Sequence, residues 1–277
     1  MLGNRRILVR KLLVAETIIH SIPVLMYHAL EDVDHPAVSR DAGEQRYVLQ
    51  VDKFCEQMEY LSQNGYKTLL LDELLAVPEW PEKAVILTFD DGHESNATLA
   101  LPILQDYDFK AEFFVTTDWI GAPHYMSTEQ ILTLYHAGMG IGSHGVTHIF
   151  FDNLDINDMQ QELLLSKNRL STIINVPISS IALPGGRTHK DIESRAREIN
   201  FKAIFTSMPG LLFRGCSLYQ IPRIPIYGNT NLSAFESIVS ADMKYYSKIQ
   251  RRNVLLMALK SMLGNRLYVN IRKFLLN

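Results

Sequence analysis

The chain has 277 residues, of which 47% are hydrophobic and 21% charged, with a formal net charge of −3. This is an ordinary globular composition, and the two cysteines, Cys55 and Cys216, exclude a disulfide framework. The charge is uneven: residues 243–277 carry eight Lys/Arg and no Asp or Glu, leaving 19 basic and 30 acidic side chains in the first 242. An acidic body with a basic tail does not fit a nucleic-acid binder.

Residues 1–21 read as an amphipathic lead-in. They are basic at Arg5, Arg6, Arg10 and Lys11, without the apolar core or small-residue cleavage site of an export signal. No run reaches the roughly 18 apolar residues of a membrane span. The expectation is a cytoplasmic protein, with or without contact at the inner membrane surface.

An apolar run, Pro23–Leu30, is interrupted near its end by His28. Residues 31–50 are polar and read as a long loop. Val51, Phe54, Cys55, Met58 and Leu61 recur at helical spacing, and Gly65 stops that helix. A strand over 67–71 and a helix over 72–77 follow. The stretch 85–91 reads as a buried strand closing on Asp90-Asp91-Gly92.

The spacing then predicts helices over 96–106, 128–137, 155–175 and 190–199. They alternate with strands over 111–117, 139–143, 178–183, 202–206 and 219–226. That rhythm argues a parallel α/β architecture. No glycine-rich nucleotide-binding turn is present.

Two features carry chemistry. Adjacent carboxylates at a strand end repel unless a cation or basic groups offset them, although one Asp alone also serves as a helix cap. His144 and His148 are four residues apart, which on one helical turn would let both rings hold one ion; two unrelated surface histidines are the plainer alternative. Two His and one Asp suit Zn²⁺ or a similar divalent ion.

Thr88-Phe89-Asp90-Asp91-Gly92, followed by Ser143-His144 and His148, resembles the polysaccharide deacetylase family, the NodB homology domain of carbohydrate esterase family 4. The likeness covers roughly residues 22–230. It implies a distorted (β/α)7 barrel over 22–240, with 241–277 as a basic amphipathic C-terminal segment. It further implies that Asp91, His144 and His148 hold the metal, most simply Zn²⁺ with Co²⁺ or Ni²⁺ as alternatives. Asp90 would be the general base, and Gly185, in Ala182-Leu183-Pro184-Gly185-Gly186, an oxyanion donor.

The implied activity is removal of N-acetyl groups from an N-acetylated glycan or lipid-linked sugar, by a metal-bound water with an Asp base and a His acid. An O-deacetylase, a non-sugar amide hydrolase and a degenerate glycan-binding protein are the alternatives. The chain departs from the family pattern twice. The motif arginine that orients the base is Ala182, leaving Arg187 or Arg223 as substitutes at the substrate site. There is also no histidine after His189 to serve as the late acid. His28, in Leu25-Met26-Tyr27-His28, resembles the first-strand acid of one branch; the plainer reading is a core histidine.

Trp119 and Tyr125 could line a sugar subsite or simply pack a loop. His93 and His124 match no family role, and Glu94 reads as a helix-start residue. The tail, with Val254 and Leu255 among its apolar positions, either lies on an anionic membrane or packs on the barrel.

Overall fold

The structure, a computed structural model, describes residues 21–37 and 42–255. Seven strands form the main path of an eight-stranded sheet, whose eighth, Lys67–Thr68, pairs with Ala84 and Val85: β1 (Val24–Tyr27), β2 (Ala84–Phe89), β3 (Glu112–Val115), β4 (Gly140–Ser143), β5 (Ser180–Ala182), β6 (Ala203–Phe205) and β7 (Ile224–Pro225). Their order is β6-β5-β4-β3-β2-β1-β7, and every pair is parallel. Ile221 bridges to Phe205 in β6, while Ile224 and Pro225 pair with Leu25 and Met26 in β1. Segment 221–225 thus spans from the last strand to the first and curls the sheet into the distorted barrel of a NodB-type α/β fold.

Side-chain alternation assigns the two faces. Leu25, Tyr27, Val85, Leu87, Phe89 and Phe113 join the larger core beneath the helices. Val24, Ile86, Phe114, Ala182, Phe205 and Ile221 form a second cluster on the other face, inside the barrel. Burial on both faces is why these strands read as continuous apolar runs rather than alternating ones.

Helices Val51–Gln63, Thr128–His136, Ile156–Ile174 and Ile192–Glu198 occupy the intervals where spacing predicts them. The longest begins at Asp155, whose carboxylate accepts from the Asn157 and Asp158 N–H groups, and ends on Asn175 at φ 55°. Both ends therefore have their exposed backbone groups or turn geometry provided for.

Several local expectations change. The strand expected over 67–71 is only Lys67–Thr68, because a helix opens at Leu71 where Glu73 accepts from the Leu70 N–H at 3.0 Å. Asn96–Ala100 forms a π turn before the α-helix Leu101–Asp106. Pro102 supplies no N–H to that helix, so the register there is free to shift. The stretch expected as loop contains Leu30–Glu31 paired with Leu49–Gln50, and a short helix, Ala42–Gln45. Ser21–Ile22 pairs antiparallel with Leu212–Phe213, a ribbon that composition did not reveal.

After the helix Leu232–Val239, the chain is helical again over 243–255. Tyr246 is 1% exposed and joins the main core, so packing on the barrel continues at least that far past residue 240. The side chains of Val254 and Leu255 are exposed. The rest of the basic segment, 256–277, and the lead-in 1–20 lie outside the described residues. Among the described residues no helix is long and apolar enough to cross a membrane.

Candidate active site

The acidic pair leaves the C-terminal end of β2, the end at which parallel α/β barrels place their chemistry. The Asp90 N–H still donates to the Tyr27 carbonyl at 3.0 Å, so Asp90 keeps the strand alternation. It therefore faces the barrel interior with Ile86 and Thr88. Asp91 turns away at φ 76° and Gly92 follows at φ 82°. A Cβ on Gly92 would meet Val115 Cγ1 at 3.0 Å, so the turn needs glycine for conformation and for space.

Asp91 meets both histidines. Its Oδ1 lies 3.4 Å from His144 Nε2 and 3.2 Å from His148 Nε2. The three donor atoms all fall within 4.8 Å of one another. Zinc bonds of 2.0–2.1 Å in a tetrahedron put ligand atoms roughly 3.3 Å apart. The Asp91 Oδ1 atom is buried and has no hydrogen-bond partner, an uncompensated anion aimed at the two rings. His144 Nδ1 is 2.8 Å from the Ala182 carbonyl. That contact sets Nδ1 as the donor and leaves the Nε2 lone pair for a cation. On donor type, spacing and tautomer, the residues fit a divalent ion.

The two histidines are not on a helical turn. They flank a loop after β4 in which Gly145 has φ 81° and His148 has φ 64°. Convergence comes from this left-handed backbone rather than from i, i+4 helix geometry.

Arg223 takes the place left open at Ala182. Its Nη1 and Nη2 donate to the two carboxylate oxygens of Asp90 at 2.6 and 2.8 Å. Nη1 also reaches Thr88 Oγ1 at 3.1 Å, and Nε donates to the Thr206 carbonyl at 2.9 Å. Arg223 has no exposure and lies on the closing segment between the Ile221 bridge and β7. Ala182, one of the small residues lining the interior, contributes its carbonyl to His144 instead.

Arg187, the other candidate, makes no ion pair with Asp90. Its guanidinium stands 4.3 Å over the Phe150 ring and 3.5 Å from Asp152. Gly185 sits in the turn after β5 at φ 61°, where a Cβ would meet the Phe150 ring at 2.8 Å. The donors that close this turn are Gly186 and Arg187, not the Gly185 N–H.

Burial pushes the Asp90 carboxyl up, but Arg223 and the histidines outweigh it and hold it below the ordinary value. Asp91 follows the same balance: burial raises it, while the His144 and His148 rings beside it bring it well below. For His144, burial lowers the imidazole but Asp90 and Asp91 raise it more, so the net shift is upward. His28 goes the other way. Burial lowers it, and the pull of Asp91 and Asp90 does not restore the ordinary value. Proximity to both carboxylates is therefore real, but desolvation favours the neutral ring.

His28 is held at the end of β1 by Asn96, whose side-chain amide donates to its carbonyl at 2.7 Å. Its Nδ1 is buried without a partner. The ring stacks on Tyr47 at 4.3 Å, and Tyr47 lies 5.1 Å from Tyr227. Sequence reasoning missed both tyrosines, because Tyr47 falls in the polar stretch read as loop. On the other side Trp119 lies 4.9 Å from the His148 ring and 4.8 Å from Tyr125. His93 serves structure: its Nδ1 is 2.8 Å from the Ser95 hydroxyl, which accepts from the Leu30 N–H. His124 stands 3.6 Å from Glu94, outside the ligand cluster.

Known proteins resemble this chain. The model of the polysaccharide deacetylase family matches residues 78–204. The Bacillus subtilis (strain 168) protein YxkH is 28% identical over 224 residues, which is 79% of this chain and 76% of that protein. A poly-beta-1,6-N-acetyl-D-glucosamine N-deacetylase of Escherichia coli (strain K12) is 31% identical over 104 residues, 36% of this chain but only 14% of that protein. Among solved structures, the Streptococcus pyogenes deacetylase PplD in complex with acetate superposes with a TM-score of 0.67 at 28% identity. It is matched over 76% of this chain and 93% of its own. A Bacillus cereus polysaccharide deacetylase gives a TM-score of 0.70 at 25% identity, over 79% of this chain and 69% of that one. With the Asp-Asp turn, the two histidines and the barrel that brings them together, this chain is similar to the polysaccharide deacetylase family, whose model it matches over residues 78–204.

Proposed function

We propose that the protein is a metal-dependent hydrolase that removes N-acetyl groups from an N-acetylated sugar or polysaccharide precursor. The observation that carries the reading is the convergence of Asp91, His144 and His148 beside a buried, arginine-held Asp90. The relatives named for poly-N-acetylglucosamine deacetylation support an amide-linked acetyl group as the target.

Asp91, His144 and His148 would hold the ion, most simply Zn²⁺, which supplies a water of lowered pKa and polarises the acetyl carbonyl. Asp90 is the base. Its carboxylate stays ionised under Arg223, and the bidentate fork leaves each oxygen a second lone pair for the proton of the attacking water. Gly185 offers its N–H to the carbonyl oxygen as that atom gains charge. His28, whose ring rests neutral, would pass on to the sugar nitrogen the proton that Asp90 takes from the water as the C–N bond breaks, so acetate and a free amine leave.

The test is acetate release from N-acetylhexosamine glycans by purified protein supplied with Zn²⁺ or Co²⁺. Asp90→Asn is expected to bind the metal as the parent does and to lose about 10²–10⁴-fold in rate. Full activity in that variant would refute the base assignment. Equal or faster release from O-acetyl substrates would favour the esterase alternative.

A further inference from the structure

We infer that Glu162, fourteen residues beyond the second histidine and on a different element, is the positioning residue that fixes the loop carrying both metal-binding imidazoles. The inference rests on the metal reading above. Glu162 lies on the helix Ile156–Ile174 and is 7% exposed. Its Oε2 accepts from the Val146 N–H at 2.6 Å and the Thr147 N–H at 3.1 Å, and its Oε1 from the Thr147 hydroxyl at 2.6 Å. No basic side chain is paired with it among the described residues; its partners are loop donors. A buried carboxylate satisfied by backbone N–H groups rather than by a cation is a specific investment in that backbone.

Other loop groups are bonded as well. The His144 N–H donates to the Val115 carbonyl at 2.9 Å, and the Gly145 N–H to Ser143 Oγ at 3.1 Å. Ser143 in turn bonds Ser166, one helical turn along from Glu162, at 2.7 Å. The Gly145 and Val146 carbonyls accept from Thr117 and Asp118. One helix face thus grips the loop through two residues, and of these only Glu162 reaches the stretch between the histidines beyond Gly145.

The loop needs such a grip. His148 has φ 64°, a region non-glycine residues enter at a cost, and it persists where the surroundings over-determine it. Glu162 holds the N–H groups of the two residues that precede His148, and the Thr147 hydroxyl as well. Gly145 is fitted to it as well: a Cβ there would stand 2.9 Å from Glu162 Oε2. Without the carboxylate, His148 is free to relax, and Nε2 no longer stays 3.2 Å from Asp91.

The full chain is tested as Glu162→Gln, Glu162→Ala and Thr147→Val. The readouts are Zn²⁺ affinity by chelator competition, the visible spectrum of the Co²⁺ form, and the Tm of metal-free protein. Zn²⁺ affinity is expected to fall about 10–100-fold in the Glu162 variants, with an altered Co²⁺ spectrum, and less in Thr147→Val. A role in stability alone would lower the metal-free Tm and leave the affinity of the folded fraction unchanged; that result overturns the inference. Should the Glu162 variants not fold, Thr147→Val decides: parental affinity and spectrum there overturn it equally. A parent chain that binds no Zn²⁺ refutes the metal reading itself, which separates the two failures.

Discussion

Arg223 is the largest side chain with no exposure, and four of its five N–H groups have acceptors within the barrel. Removing it leaves the Asp90 charge buried and unpaired, so Arg223→Ala is expected to destabilise the fold by about 3–5 kcal/mol in urea unfolding. Arg223→Lys restores a charge but not the fork, and should recover stability only in part while acetate release stays low. Arg187→Ala, by contrast, removes a cation from Phe150 and Asp152 on the rim. It should leave Asp90 chemistry intact, and a loss of rate as large as that of Arg223→Lys would contradict the geometry.

At the scale of elements, β4 shows how a strand is fitted to its neighbours. Its sequence, Gly-Ile-Gly-Ser, has a single branched residue, Ile141, set between two glycines, where a buried strand usually has several. The reason lies across the ladder. A Cβ on Gly142 would stand 2.4 Å from the Phe114 ring and 2.9 Å from Ser180 Oγ, and one on Gly140 would stand 2.2 Å from a Glu112 oxygen. Gly142→Ala should therefore cost about 1–3 kcal/mol through overpacking, read as a lower urea midpoint. Because β4 delivers His144, metal affinity should fall with it.

At the scale of the whole molecule, Glu112 links stability to pH. It opens β3 at the barrel end opposite the metal loop, is 7% exposed, and accepts from the Leu71 N–H at 2.9 Å. Burial pushes its carboxyl up from the ordinary 4.5 to about 7. The folded state thus binds this proton more tightly than the unfolded chain. Its stabilising contribution is complete below about pH 4.5, is lost as pH rises toward 7, and is absent above. A shift of this size corresponds to about 3 kcal/mol. Glu112→Gln should be more stable than the parent at pH 8, with the difference shrinking toward pH 5; parallel Tm profiles for the two proteins would contradict this.

The sequence by itself determined the strand-helix rhythm, the acidic turn after Phe89, the histidine pair and the approach of His28, because each is written in local pattern or in a motif of a few residues. It left Arg187 and Arg223 as equals, read 144–148 as a helical turn, and gave no sign of Glu162 or Tyr47. Those matters depend on contacts between residues 15 to 133 positions apart, such as Thr147 with Glu162 and Arg223 with Asp90. Only the tertiary structure decided them: closure of the sheet through 221–225 sets Arg223 under the base, and the long helix sets a carboxylate under the metal loop. Local pattern follows from the chain's short-range sterics and periodic burial, whereas a buried charge finds its partner only when the barrel closes.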